Sequence, residues 1–268
     1  MKTPPILDHK YPDQPTVFLP AALLREARRQ KGIESSSVPS ICILDPDGDL
    51  VRHLRQSGAA TPFAGWPCYH TDLDTFELGG QRVGIVGRVV GAPFAVLVAE
   101  ELFASGCAVL ISLTSAGQIT PVAQAPYFVI IDRALRDEGT SYHYAAPAEY
   151  GEADPHLVRV AAAALGQGGQ GRLGGPHCVV GASWTTDAPF RETALAIDAA
   201  RARGILAVEM EAAALYTFAR SAGVRVLCLA HVTNTMGQAG DDFEKGDADG
   251  ARDALAVLER IAVALRDS

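Results

Sequence analysis

The chain has 268 residues, 48% of them hydrophobic and 20% charged, with a formal net charge of −8. That length can bury the core of one large α/β domain or of two small ones. The acidic balance argues against a general nucleic-acid or anionic-membrane binder, while leaving room for a local basic pocket.

The opening stretch, MKTPPILDHKYPDQPT, holds no apolar run of signal-peptide length. Residues 1–39 read as an extension: a Pro-rich start, then the short basic amphipathic helix AALLREARRQKG, stopped by Gly32. Such a helix is expected to pack on the main domain or on a neighbouring subunit. Residues 40–268 read as that domain. SICIL (Ser40–Leu44) is a buried strand followed by the turn DPDGD. QRVGIVGRVVG (Gln81–Gly91) is strand and loop. APFAVLVAEELFASG (Ala92–Gly106) has helical spacing and a glycine stop. Glu100 and Glu101 interrupt its apolar run, which excludes a membrane span. CAVLISL is the next strand, closed by a loop, TSAGQ, and PYFVIID is another apolar strand.

The glycine-rich run GQGGQGRLGG (Gly166–Gly175) follows an Ala-rich helical stretch. It is expected to be a loop within one domain, because the same alternation resumes with HCVVGASW. Gly204 to Asn234 reads as strand, helix, glycine turn and strand. DADGARDALAVLERIAVALRDS closes the chain as an amphipathic helix. Apolar strands alternating with helices predict a largely parallel or mixed sheet covered on both faces. In such folds ligands gather beyond the carboxyl ends of the strands.

The five cysteines, Cys42, Cys68, Cys107, Cys178 and Cys228, are odd in number and form no CxxC pair. No cysteine–histidine spacing suits zinc, and no metal is expected. The pattern predicts reduced, buried thiols in a cytoplasmic protein. A dinucleotide-dependent oxidoreductase is excluded, since no GxGxxG turn opens a helix after a strand.

Glu209 and Glu211 sit one residue apart in the most apolar part of the chain, where a carboxylate without a partner is costly. If both were helical they would point about 200° apart, and only one could face a pocket. Extended backbone at the strand end would let both do so. Either could also be a first-turn residue favoured by the helix dipole.

The set VVGAPFAVLVAEEL, LTSAGQI, GASWTTDAPFRET and AVEMEAAALYTFARSAGV followed by VTN resembles the nucleoside phosphorylase superfamily. It is most similar to the branch holding uridine phosphorylases, hexameric purine nucleoside phosphorylases and nucleosidases. The resemblance spans roughly Ser40 to Asn234. It implies a single α/β/α domain around a mixed, partly barrel-like sheet, assembled as a dimer or a ring of dimers. It also implies cleavage of a nucleoside's N-glycosidic bond, with phosphate as co-substrate and no cofactor. A carboxylate near the sugar can hold its hydroxyls and stabilise the positive charge that builds there. By this resemblance Glu211 holds the ribose hydroxyls, Met210 packs on the sugar and Glu209 is the first acidic position of the motif. Asn234 corresponds to the base-contacting Asp or Asn of purine-acting relatives, or is a turn residue. Thr114, Ser115 and Gly117 correspond to a small-residue loop that touches phosphate and ribose. Trp184, Pro189 and Phe190 come from the base-lining loop, although core packing explains Trp184 equally well.

The chain departs from the family in two places. Thr193 and Leu195 stand near the positions of the pyrimidine-reading Gln and Arg, which disfavours uracil and favours a purine or modified base. Gly48 and Ile111 stand where two phosphate arginines are expected. Arg88 is the leading replacement, with Arg52, Arg55 and His70 behind it. Three readings follow from the resemblance: a phosphorylase, a hydrolytic nucleosidase that uses water, or a catalytically silent nucleoside-binding relative.

Overall fold

The computed structural model describes residues 4–166, 176–235 and 245–266. The glycine-rich run after Gly166 and the Met236–Gly237 end of the last loop lie outside the described residues. A helix α1 (Pro20–Lys31) precedes the main domain and packs on a later helix through buried Leu24 and Ala27. Then come β1 (Ile41–Asp45), α2 (Asp49–Gln56), β2 (Thr61–Pro62), β3 (Asp74–Leu78), β4 (Gln81–Gly87) and α3 (Ala92–Ala104). The chain continues with β5 (Val109–Gln118), β6 (Tyr127–Asp137), β7 (Tyr150–Glu152), α4 (Pro155–Leu165) and β8 (Cys178–Thr186). It ends with α5 (Ala194–Ala202), β9 (Ala207–Glu209), α6 (Ala212–Ala222), β10 (Arg225–Thr235) and α7 (Ala251–Arg266). Helix α1 packs against α3.

Among the described residues, ten strands form one mixed sheet in the order β10-β6-β8-β9-β5-β1-β4-β3-β2, with β7 paired to β6. Strand β10 also pairs with β5, so β10, β6, β8, β9 and β5 close into a ring. This is the partly barrel-like sheet that the resemblance implies. The tails of β1, β4, β5 and β10 run parallel and finish at the same end.

Period-two alternation sorts the strands' side chains onto two faces. Cys42 and Leu44 of β1, Val226 and Cys228 of β10, and Val129 and Ile131 of β6 join the core under α3 and α6. Ile41, Ile43, Leu227, Leu229, Phe128 and Ile130 face the opposite core, with α2, α4 and α7. Helix α7 supplies Ala254, Val257, Leu258, Ile261, Ala262 and Leu265, a single stripe at helical spacing.

Helix α6 is alanine-rich because its neighbours come close. A Cβ at Gly151 of β7 would lie 2.6 Å from the Ala213 carbonyl oxygen. The Tyr216 hydroxyl of α6 donates to the Ile131 carbonyl at 2.6 Å and accepts from the Cys228 N–H at 2.9 Å. One phenol thus fastens the helix to β6 and β10 together.

The structure corrects one element. Thr114–Gly117, expected as a loop, is the second half of a long strand. Beyond its pairing with β1, strand β5 continues with β10 on one side and β9 on the other. Its small residues fit between two partners rather than turning the chain. The structure also adds α2, an eight-residue helix directly after the DPDGD turn. All five cysteines are buried and unpaired. Among the described residues no helix is long and apolar enough to cross a membrane.

Candidate active site

The site lies where β1, β5 and β10 end beside the β9–α6 corner and the start of α3. Strand β9 runs antiparallel to β5, pairing Val208 with Gly117, and this brings the two glutamates to the end of β5. Glu209 is the last residue of β9, and Glu211 is the N-cap of α6. The backbone is not yet helical at either, so both carboxylates turn inward; Glu209 is 3% exposed and Glu211 1%.

Their surroundings differ. Glu209 Oε1 accepts from the Ser183 hydroxyl at 2.9 Å and the Thr185 hydroxyl at 2.6 Å. Its Oε2 accepts from the N–H groups of Glu211 at 2.6 Å and Ala212 at 2.7 Å. The side chain therefore ties β8 to β9 and satisfies donors at the open N-terminus of α6. Burial raises its pKa while these four donors oppose the rise.

Glu211 has one backbone donor. Its Oε1 accepts from the Gly91 N–H at 2.7 Å, and its Oε2 is buried with no hydrogen-bond partner among the described residues. Gly91 is the N-cap of α3, at φ +91° and ψ 147°. Those angles suit glycine and aim its N–H at the carboxylate. Burial and then the nearby Glu209 charge push the Glu211 carboxyl up to about 8, against the Gly91 N–H and the Thr114 hydroxyl. Met210, between the two glutamates, is half-buried.

On β5, Thr114 is buried beside Glu211, and Gly117 pairs with both Val208 and Asn234. The β5–β10 register slips between Val232 and Asn234. This bulge leaves Thr233 fully buried and sets half-buried Asn234 against the end of β5. The Thr233 hydroxyl lies 3.4 Å from Asn234 Oδ1.

The donors of Ser115 are already engaged. Its N–H donates to Asp47 Oδ2 at 2.8 Å and its hydroxyl to Asp47 Oδ1 at 2.9 Å. Asp47 comes from the β1–α2 turn, which Asp45 holds in shape. The Asp45 carboxylate accepts from the N–H groups of Gly48 at 3.2 Å and Val51 at 2.9 Å. Burial, with Asp47 and Asp49 nearby, pushes the Asp45 carboxyl up to about 7. Lys245 lies by the same turn, paired to Asp49 at 2.5 Å. His231 stacks on Phe128 at 4.4 Å between ring centroids, and burial pushes its pKa down to about 4.

Arg88 sits elsewhere. It is exposed, at φ +63°, and its N–H donates to the Asp45 carbonyl at 2.9 Å. With Arg52, Arg55 and His70 it lines a surface cavity of about 340 Å³ beyond α2. A Cβ at Gly48 would lie 2.8 Å from Arg88 Cγ, so glycine there makes room for the arginine stem. The expected cation and the expected hydroxyl donors thus line different hollows. Trp184 is core, 5% exposed, and its indole N–H donates to Asp137 at 3.0 Å. Phe190 projects freely at 99% exposure. Among the described residues no group of three or more His, Cys, Asp or Glu side chains is arranged to hold a metal ion.

This constellation agrees with a family model. The model for the phosphorylase superfamily matches residues 40–265. The chain belongs to the phosphorylase superfamily. Within it, the chain is 29% identical over 212 residues to a uridine phosphorylase of Thermococcus kodakarensis, covering 71% of each chain. It is also similar in fold to a uridine phosphorylase of Vibrio fischeri complexed with 6-hydroxy-1-naphthoic acid. That comparison gives a TM-score of 0.72 at 19% identity, covering 90% of this chain and 99% of the other. A second structure of the Vibrio fischeri enzyme gives 0.71 at 20% identity, covering 87% and 95%.

Asp47, Gly91, Ser183, Thr185 and His231 were not singled out by sequence reasoning. The first belongs to a turn that reads as generic, and the others become visible only once the strands are paired.

Proposed function

We propose that this phosphorylase-superfamily protein cleaves the N-glycosidic bond of a nucleoside and transfers the ribosyl group to phosphate, giving free base and ribose 1-phosphate. The observation that carries the reading is the buried Oε2 of Glu211, which no group among the described residues satisfies. A buried acceptor of this kind suits a ligand that brings hydroxyl donors. As the glycosidic bond lengthens, positive charge builds on the sugar, and a carboxylate held on its hydroxyls stabilises it. Met210 packs on the sugar and Asn234 contacts the leaving base, with Thr114, Ser115 and Gly117 on the acceptor side. Glu209 supports the corner from behind. The base takes the electron pair and a proton as it leaves, so the reaction needs no metal or organic cofactor.

A purine or modified base is favoured over uracil. The Thr193 hydroxyl accepts the Ala196 N–H at 3.3 Å as the cap of α5, and Leu195 is apolar and 83% exposed. Neither can serve as the polar pair that reads a pyrimidine edge. The reading includes a homo-oligomer, a dimer or ring of dimers, in the cytoplasm, where five buried free thiols stay reduced.

A second reading, hydrolysis with water as acceptor, is favoured by the Asp47 carboxylate on the Ser115 donors. Incubation with a nucleoside panel, with and without phosphate, tests both. Ribose 1-phosphate and a purine base are the expected products. Free ribose at an unchanged rate without phosphate selects hydrolysis. Binding with no product from any nucleoside identifies a silent relative and refutes the enzyme reading.

A further inference from the structure

We propose that Asp47 selects the acceptor, as an internal carboxylate that fills the anion cradle of Ser115 and must be displaced before phosphate can bind. The inference rests on the nucleoside-cleaving reading above and concerns its acceptor side.

The contact is two-pronged. Both Asp47 oxygens are used, one on the Ser115 N–H and one on its hydroxyl, at 2.8 and 2.9 Å. A backbone N–H beside a hydroxyl is the pair of donors that an oxyanion takes at a strand end. The arrangement is also braced. The Asp45 carbonyl accepts from Gly48 N–H at 3.0 Å and Arg88 N–H at 2.9 Å, and the Asp45 carboxylate holds Gly48 and Val51. These bonds fix the turn so that residue 47 overhangs β5. Asp47 itself is exposed, so its side chain can swing away without opening the core.

Charge makes the contact selective. A phosphate dianion in the cradle would have to displace the Asp47 carboxylate and then lie beside that same charge, which stays tethered to the turn. Like charges brought together without a cation are strongly disfavoured. Lys245 lines the same hollow as Asp47 and Ser115 but is engaged by Asp49, and Arg88 lines the separate hollow with Arg52 and Arg55. Water needs no such compensation. In both outcomes the glycosidic electron pair leaves with the base, which gains one proton. The new bond at the sugar's anomeric carbon comes from a phosphate oxygen in one case and from the oxygen of water in the other, each giving up that proton.

The test compares wild type, Asp47→Ala and Asp47→Asn at a fixed nucleoside concentration across a series of inorganic phosphate concentrations, with sugar products resolved. Removing the charge is expected to lower the phosphate needed for half-maximal ribose 1-phosphate formation by at least about tenfold. If wild type makes only ribose, both variants should begin to make ribose 1-phosphate. An unchanged or weakened phosphate response in both variants, with nucleoside cleavage retained, overturns the proposal. Inorganic phosphate binding to the free proteins, followed by calorimetry, is measured alongside. It decides the matter even if no nucleoside is cleaved: tighter binding by the variants supports the proposal, and equal or weaker binding refutes it. The product panel separately judges the nucleoside reading.

Discussion

The β9–α6 corner and the β1–α2 turn both bury carboxylates at the mouth of one site, yet they use them in opposite ways. At the corner, among the described residues, Glu209 takes four donors and leaves Glu211 with one backbone donor and an oxygen without a partner. In the turn, Asp45 takes two backbone donors, Asp47 both donors of Ser115, and Asp49 the cations Arg52 and Lys245. One region keeps acceptor capacity for a ligand, and the other closes on itself. A cluster of acidic residues is therefore informative only after its hydrogen bonds have been counted.

The sharpest way to break this contrast is to neutralise the open carboxylate. Glu211→Gln keeps size and removes charge, and turnover on the best nucleoside should fall by two to four orders of magnitude, on the order of 3–5 kcal/mol. Unchanged turnover would remove Glu211 from the chemistry. The saturated neighbour should answer differently. Glu209→Ala strands the Ser183 and Thr185 hydroxyls and two helix N–H groups, so the loss should appear in stability, on the order of 3 kcal/mol by denaturant unfolding. A stable Glu209→Ala protein that lacks only activity would reverse the roles assigned to the two glutamates.

Asn234 stands at the rim of the corner, and its replacement should be milder and selective. Asn234→Ala should slow the best purine substrate by roughly 1–3 kcal/mol in kcat/KM and pyrimidines less. Wild-type cleavage of uridine ahead of every purine nucleoside would defeat the base assignment.

The smallest effect compares the two regions through pH. Glu211 is pushed up to about 8 and Asp45 to about 7, so the folded protein holds protons that the unfolded chain releases near pH 4. Stability from these groups is full at low pH and declines as pH rises through the window up to 7 and 8, by at most about 1.4 kcal/mol per pH unit for each group. His231, lowered to about 4, acts in reverse: its contribution is lost as pH falls from about 6.5 toward 4. Thermal melts should show a decline from about pH 4 to about pH 8; Glu211→Gln should remove its share, including all of the decline between about 7 and 8, while the Asp45 share, which ends near 7, persists. Identical pH profiles for wild type and variant would show that Glu211 is already ionised when buried.

Legibility in the sequence followed the range of the interactions. The alternation of strands and helices is local, and it predicted the layered sheet. The VEMEA run carries its own residue types, so the glutamates were found, though their division of labour was not. That division depends on Ser183 and Thr185 of β8, more than twenty residues away. Thr114–Gly117 read as a loop because small residues usually turn chains, whereas here they lie between β9 and β10. Asp47 was invisible as a site residue because its partner is 68 positions distant, and only the parallel pairing of β1 with β5 brings them together. Arg88 reads as a cation of a pocket loop, and its turn places it in the hollow of Arg52, Arg55 and His70.

The double pairing of β10 has a consequence for how the protein behaves in a crowded solution. A strand with an unpaired side is a template on which another chain can build. Closing the ring removes that template from the strands that carry the site. Among the described strands the borders that remain are short: two-residue β2, three-residue β7, and the stretches of β3 beyond Thr75 and of β8 before Ser183 that pair on one side. Backbone amides in the central part of β10 should therefore exchange with deuterated solvent only through opening of the barrel as a whole, and so be among the slowest in the molecule.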